Sequence, residues 1–187
     1  MKLLLITLTI LQSMLTAIEQ KTLQSEFTLT QSESMSATSS PISYTGELNM
    51  HDMKFTLSMF NIEAAYDGKT LYVYSEDTEE LTLSQPTEEE LLQTNPFFYA
   101  KALLPLCEYN EKVVGENTHI TLTPKDKSLG IAKFTLKIST STLIPALVEI
   151  YETDGKQTTL RFNNATYKNE CPKFIIHKPD AFINDLR

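Results

Sequence analysis

Residues 53–75 read MKFTLSMFNIEAAYDGKTLYVYS, and this stretch decides the fold class. Met53, Phe55, Leu57 and Met59 alternate with Lys54, Thr56 and Ser58. A strand turns successive side chains to opposite faces, so a period of two marks a strand with one apolar and one polar face. The run 62–66 then leads into Asp67-Gly68. Glycine adopts positive φ without a Cβ clash, which makes Asp-Gly a hairpin signal. Leu71 and Val73 alternate with Tyr72 and Tyr74 in the answering strand, 70–75, so the two tyrosines are expected to face outward or to a rim.

The same pattern extends in both directions. Strands are expected at 27–35, at 43–50 with Leu48 and Met50 on one face, and at 80–84. After residue 117 they resume at 118–123 and 131–139, where Phe134, Leu136 and Ile138 share a face. Asp154-Gly155 joins strands at 146–153 and 157–163, and a last strand is expected at 173–177, before Pro179. The middle differs. Thr87 with Glu90 forms a capping box, and Glu88 to Glu90 suit the positive end of a helix dipole. Asn95 as N-cap and Pro96 at the first position start a second helix, 97–104, which Pro105 ends or bends.

The expected architecture is mainly β: a strongly curved antiparallel sheet, an incomplete β-barrel of about eleven strands closed by a few short lid helices. Strands that are apolar on one face must bury it. With so few helices, the sheet must curl upon itself. Its interior is either packed core or a cavity for an apolar ligand, and periodicity does not separate these. Candidates for the cavity wall are Met50, Phe55, Leu57, Met59, Leu71, Val73, Phe134, Leu136 and Ile138. Candidates for the lid are Phe97, Phe98, Leu103 and Leu104.

Composition narrows the function. The chain has 187 residues and a formal charge of −8, which argues against nucleic acid, because phosphate binding needs a basic face. Met1-Lys2, the uncharged apolar run Leu3 to Leu15 and the small Ala17 have the three-part form of a secretory signal over residues 1–17. This leaves 18–187 as one domain. The opposing reading of the same run is a buried N-terminal helix. Export permits a disulfide between Cys107 and Cys171, against two free buried thiols. The two cysteines and the isolated His51, His119 and His177 have no metal-ligand spacing, so no metal or cofactor is expected. No G-x-S-x-G, H-E-x-x-H or C-x-x-C motif is present, and the chain is not expected to be an enzyme.

The stretch 66–99, YDGKTLYVYSEDTEELTLSQPTEEELLQTNPFFY, resembles the LolA family in its Bacteroidetes-type branch. Asp67, Gly68, Lys69, Thr70, Tyr72, Tyr74, Pro86, Thr87, Glu90, Leu91, Asn95 and Pro96 match in order and spacing. Gly46-Glu47-Leu48 before Phe55, then Pro145, Phe162-Asn163-Asn164, Phe174 to Pro179 and Asp185-Leu186-Arg187 follow the family's order, so the resemblance spans roughly 43–187. It implies a half-open barrel whose apolar cavity shields the acyl chains of lipoproteins in the periplasm. The implied partners are acylated lipoproteins, an inner-membrane ABC transporter complex of the Lol type and, transiently, the membrane surface, with the carrier itself a monomer. Two features depart from the family. Only about ten residues separate Ala17 from Phe27, which leaves the family's amphipathic N-terminal helix short or missing. No Arg follows the G-x-L strand, so another donor, His51 or Lys54, would have to hold the lid. The alternatives are a periplasmic lipid or hydrophobic-ligand binder or sensor without a transport role, and a cell-envelope hydrolase.

Overall fold

The computed structural model describes residues 9–33 and 40–187; residues 1–8 of the expected signal and 34–35 of the first expected strand lie outside the described residues. The first half of the chain is an antiparallel meander of β1 (Thr22–Ser32), β2 (Ile42–His51), β3 (Lys54–Met59), β4 (Ile62–Tyr66), β5 (Leu71–Ser75) and β6 (Glu80–Ser84). Two helices follow, α2 (Glu88–Thr94) and α3 (Pro96–Leu103). A second meander comprises β7 (Cys107–Val114), β8 (Asn117–Pro124), β9 (Ile131–Ser139), β10 (Pro145–Glu152) and β11 (Gln157–Lys168). Antiparallel pairing of β1 with β11 joins the two meanders into one open sheet. A last strand, β12 (Phe182–Asp185), lies parallel to β6 and forms one edge; β7 forms the other.

The seam between the meanders is bent. Two residues of β11, Asn164 and Ala165, stand opposite Ser25 alone between the pairs Gln24–Thr166 and Glu26–Asn163. Asn164 takes φ +52°, a left-handed conformation that Asn tolerates better than most residues. Such bulges bend a strand and increase its twist. The buried Ser25 hydroxyl donates to the Asn163 carbonyl at 2.9 Å, so the irregular backbone is not left unsatisfied.

Three expectations need correction. The segment 173–177 is not a strand. The chain must travel from β11, in the middle of the sheet, to β6 at its edge, and so it crosses the strands and finds no ladder. It lies on the convex face of β2 to β4, where Lys178 pairs with Glu63 at 2.7 Å and Phe174 is buried. The edge strand β7 is absent from the expected set, because it is exposed along most of its length and carries no apolar alternation. The third correction concerns the start of the first strand, which is Thr22 rather than Phe27 and is preceded by a helix. Residues 10–20 form a helix, α1 (Ile10–Gln20), with Thr9 and Gln12 in a capping box. Its Leu11, Met14, Leu15 and Ile18 are buried in one cluster with Leu23, Met50, Ile120, Leu122 and Ile138. The Ile18 carbonyl accepts from the Asp52 N–H at 2.9 Å, and Lys101 of α3 meets Glu19 at 3.7 Å. Residues 10–17 of the expected signal lie within α1.

The hairpin that announced the fold is built around Asp67. Its carboxylate accepts from the Thr70 N–H at 2.8 Å, the Lys69 N–H at 2.9 Å and the Tyr72 hydroxyl at 3.1 Å. Partial burial pushes the Asp67 carboxyl up, but these hydrogen bonds and the nearby Lys54 charge outweigh it and hold it below the ordinary range.

Two outcomes follow from these contacts. Burying Leu11, Met14 and Leu15 is worth about 1.5–3 kcal/mol each. A chain beginning at Ile18 should therefore unfold at a Tm roughly 10 °C or more below that of a chain beginning at Thr9. Equal Tm values would show that α1 adds nothing to stability. Asp67→Asn should cost about 1 kcal/mol near neutral pH. Because the folded carboxyl is depressed, its contribution is present above the unfolded value of about 4 and is lost as pH falls through the folded value. The urea midpoints of wild type and variant should converge below about pH 4; a gap that persists unchanged in acid would exclude the carboxylate as its source.

Candidate functional site

The concave face is laid out by strand register. On β1, Phe27 and Leu29 point inward, opposite Phe162 and Leu160 of β11. Leu48 and Met50 of β2 stand against Leu57 and Phe55 of β3, and Met59 extends the row. Val148 and Ile150 continue the wall on β10, next to Leu160 and Thr158. Gly46 leaves a gap in this wall, and its partner Phe27 fills it: a Cβ there would fall 2.6 Å from the Phe27 ring and collide with the Ser58 carbonyl. Burial falls in one direction along every row. Phe27, Phe55, Val148 and Phe162 are buried, whereas Leu29, Leu57, Ile150 and Leu160 are half-buried. The cavity therefore opens at the end of the sheet that holds the β3–β4 and β10–β11 turns.

Helices α2 and α3 form the roof, and Asn95 between them fixes it. This side chain is 1% exposed. Its Oδ1 accepts from the Phe97 N–H at 3.0 Å and the Phe98 N–H at 3.3 Å, capping α3. Its Nδ2 donates to Met50 Sδ at 3.4 Å, tying the cap to the cavity wall. Phe97 then stacks on Phe162 with centroids 5.4 Å apart, and Tyr99 meets Phe134 edge-on at 6.4 Å. Burial pushes the Tyr99 hydroxyl up, assisted by the Glu152 charge.

The cavity so enclosed has a volume of about 820 Å³, within the range of small-molecule sites. Its wall is mostly Leu, Ile, Phe and Met, and its charged groups are Glu89 and Glu152. Among the described residues, the lining includes no Ser, His or Cys.

Of the wall candidates, Met50, Phe55, Leu57 and Met59 line the cavity. Phe134, Leu136 and Ile138 do not; each is at most 2% exposed and belongs to the packed core. Leu71 packs against that core from its margin, and Val73 is half-buried outside the cavity. The lid candidates are also displaced inward. Phe97 and Leu103 are core residues, and Leu104 and Phe98 are only partly buried. The cavity roof is instead formed by Leu92, Thr94, Pro96 and Tyr99. The further wall residues Phe27, Leu48 and Ile150 fall within expected strands, and the alternation puts Leu48 on the face of Met50. Among the described residues, the proposed lid donors have other neighbours: His51 lies 3.5 Å from the Thr22 hydroxyl, and Lys54 lies by Asp67. Cys107 and Cys171 are free thiols, one buried and one exposed. Cys107 begins β7 at the open end, whereas Cys171 follows the end of β11 at the opposite one, so register keeps them apart.

Asn95→Ala removes the cap and should cost about 1–2 kcal/mol in urea unfolding. Asn95→Ser keeps an acceptor oxygen and should recover much of that loss; an equal loss in both variants would show that the cap bonds carry no weight.

No curated protein matches the sequence. Among solved structures, the fold is similar to that of an uncharacterized conserved protein from Thermus thermophilus, at a TM-score of 0.61 and 12% identity over 93% of this chain and 98% of that one. A LolA superfamily protein from Nitrosomonas europaea matches at a TM-score of 0.41 and 10% identity, over 88% of this chain and 96% of that one. The sequence itself matches the family described as outer membrane lipoprotein carrier protein LolA across residues 62–174. That match spans more than half of the chain, which therefore belongs to the LolA family.

Proposed function

We propose that this protein carries acylated lipoproteins through the periplasm, holding their acyl chains in the cavity beneath α2 and α3. The observation that carries this reading is the apolar, half-open cavity between Leu57 and Met59 on one side and Ile150 and Leu160 on the other. Each buried methylene is worth about 0.8 kcal/mol, so acyl chains crossing water need such a shield. A roof made of two short helices, of which only α3 is deeply packed, supports exchange of cargo at the open end. Membership of the LolA family supports the same reading. The donor in this scheme is an inner-membrane ABC transporter complex of the Lol type, the acceptor is the outer membrane, and the carrier acts as a single copy. Export on a signal ending at Ala17 would leave only Ile18–Gln20 of α1 on the carrier.

The test is retention of a triacylated lipopeptide in the soluble fraction. The wild-type protein should hold it at near-stoichiometric amounts, and Leu57→Glu should weaken retention at least tenfold, with Leu57→Met close to wild type. Failure of the folded wild-type protein to keep the lipopeptide soluble would overturn the proposal.

A further inference from the structure

The charged groups at the cavity mouth bear on which apolar cargo it accepts, a question that rests on the carrier reading above. Three rows of the concave face become polar at the open end. On β10 the sequence of inward residues is Val148, Ile150, Glu152; on β11 it is Phe162, Leu160, Thr158; on β1 it is Phe27, Leu29, Gln31. A chain lying along these rows with its methyl end inside brings its linkage end beside Glu152. Glu152 is half-buried, and its charge reaches the Tyr99 hydroxyl of the roof. Glu89, in the first turn of α2, borders the same cavity from the roof side. Among the described residues, the lining contains no Lys, Arg or His. Lys156, on the β10–β11 turn, also feels the Glu152 charge, but its ammonium is held by Asp154 at 3.0 Å.

We infer that the cavity selects acyl chains joined through neutral ester or amide linkages, as on an acylated peptide, and turns away free fatty acids and other anionic amphiphiles. A carboxylate at the mouth would lose part of its hydration without gaining a cationic partner from the lining, and it would be repelled by the half-buried Glu152 and, more weakly, by the exposed Glu89. An ester or amide carries no net charge, so it is not repelled and its desolvation costs far less. The two glutamates are thus specificity-determining residues in a wall that otherwise recognises only apolar surface.

The experiment titrates the purified protein with a dansylated fatty acid and, separately, with its methyl ester at neutral pH. The wild type should prefer the ester by about tenfold, which is about 1.4 kcal/mol. The Glu89→Gln/Glu152→Gln double variant should reduce that ratio to about threefold or less. Raising the salt concentration should shrink the wild-type ratio without any substitution, because part of the repulsion is screened. Equal or tighter binding of the acid by the wild type would overturn the inference while leaving the carrier reading intact. So would a preference that neither salt nor the double variant changes. Binding of neither probe would overturn the carrier reading and this inference with it.

Discussion

The antiparallel ladder between β1 and β11 is the constraint on which the rest of this molecule depends. Each meander alone is a sheet with one apolar face and nothing to cover it. Their union places Phe27 opposite Phe162 and Leu29 opposite Leu160, making one continuous concave surface. The bulge at Asn164 bends that seam, and bending decides whether the apolar face closes around a volume or lies flat. The ladder also sets the folding problem, because Leu23 must find Tyr167 across most of the chain before either half is covered.

The concave surface is then divided between two uses. Towards β7, β8 and β9, α1 and α3 fill it, and Phe134, Leu136, Ile120 and Leu122 pack at near-complete burial. Towards the open end of β1, β2, β3, β10 and β11, the roof is thinner and a cavity remains. Asn95 sits where these halves meet. It caps α3, which belongs to the packed half, and bonds Met50, which belongs to the cavity wall. A buried neutral amide thus ties the helix cap to the sheet.

The convex face carries a second, smaller cover. Ala65, Leu81, Leu83 and Phe174 are buried outside the main core. The segment after β11 passes over this side, anchors through Lys178 and Glu63, and ends as β12 along β6. Asp185 and Arg187 pair at 2.6 Å just beyond, and the Arg187 guanidinium holds the Asp185 carboxyl down to about 2. The terminal motif that resembles the family's therefore serves to cover and extend the sheet edge.

Much of this was legible in the residues alone. Alternation at 53–59 and 131–139, the turn at Asp67-Gly68, and the caps at Thr87 and Asn95 are local signals, and local sterics and hydrogen bonding suffice to read them. The class of fold follows, because one-sided strands must curl to bury their apolar side. What the sequence could not decide was the use of each inward side chain. Leu57 and Leu136 carry the same pattern, yet one lines a cavity and the other lies in solid core. The difference is which helix lies above them, and that depends on the β1–β11 register. Only the tertiary structure also placed Leu11 and Met14, since a surface for them exists only once the sheet has curled around them.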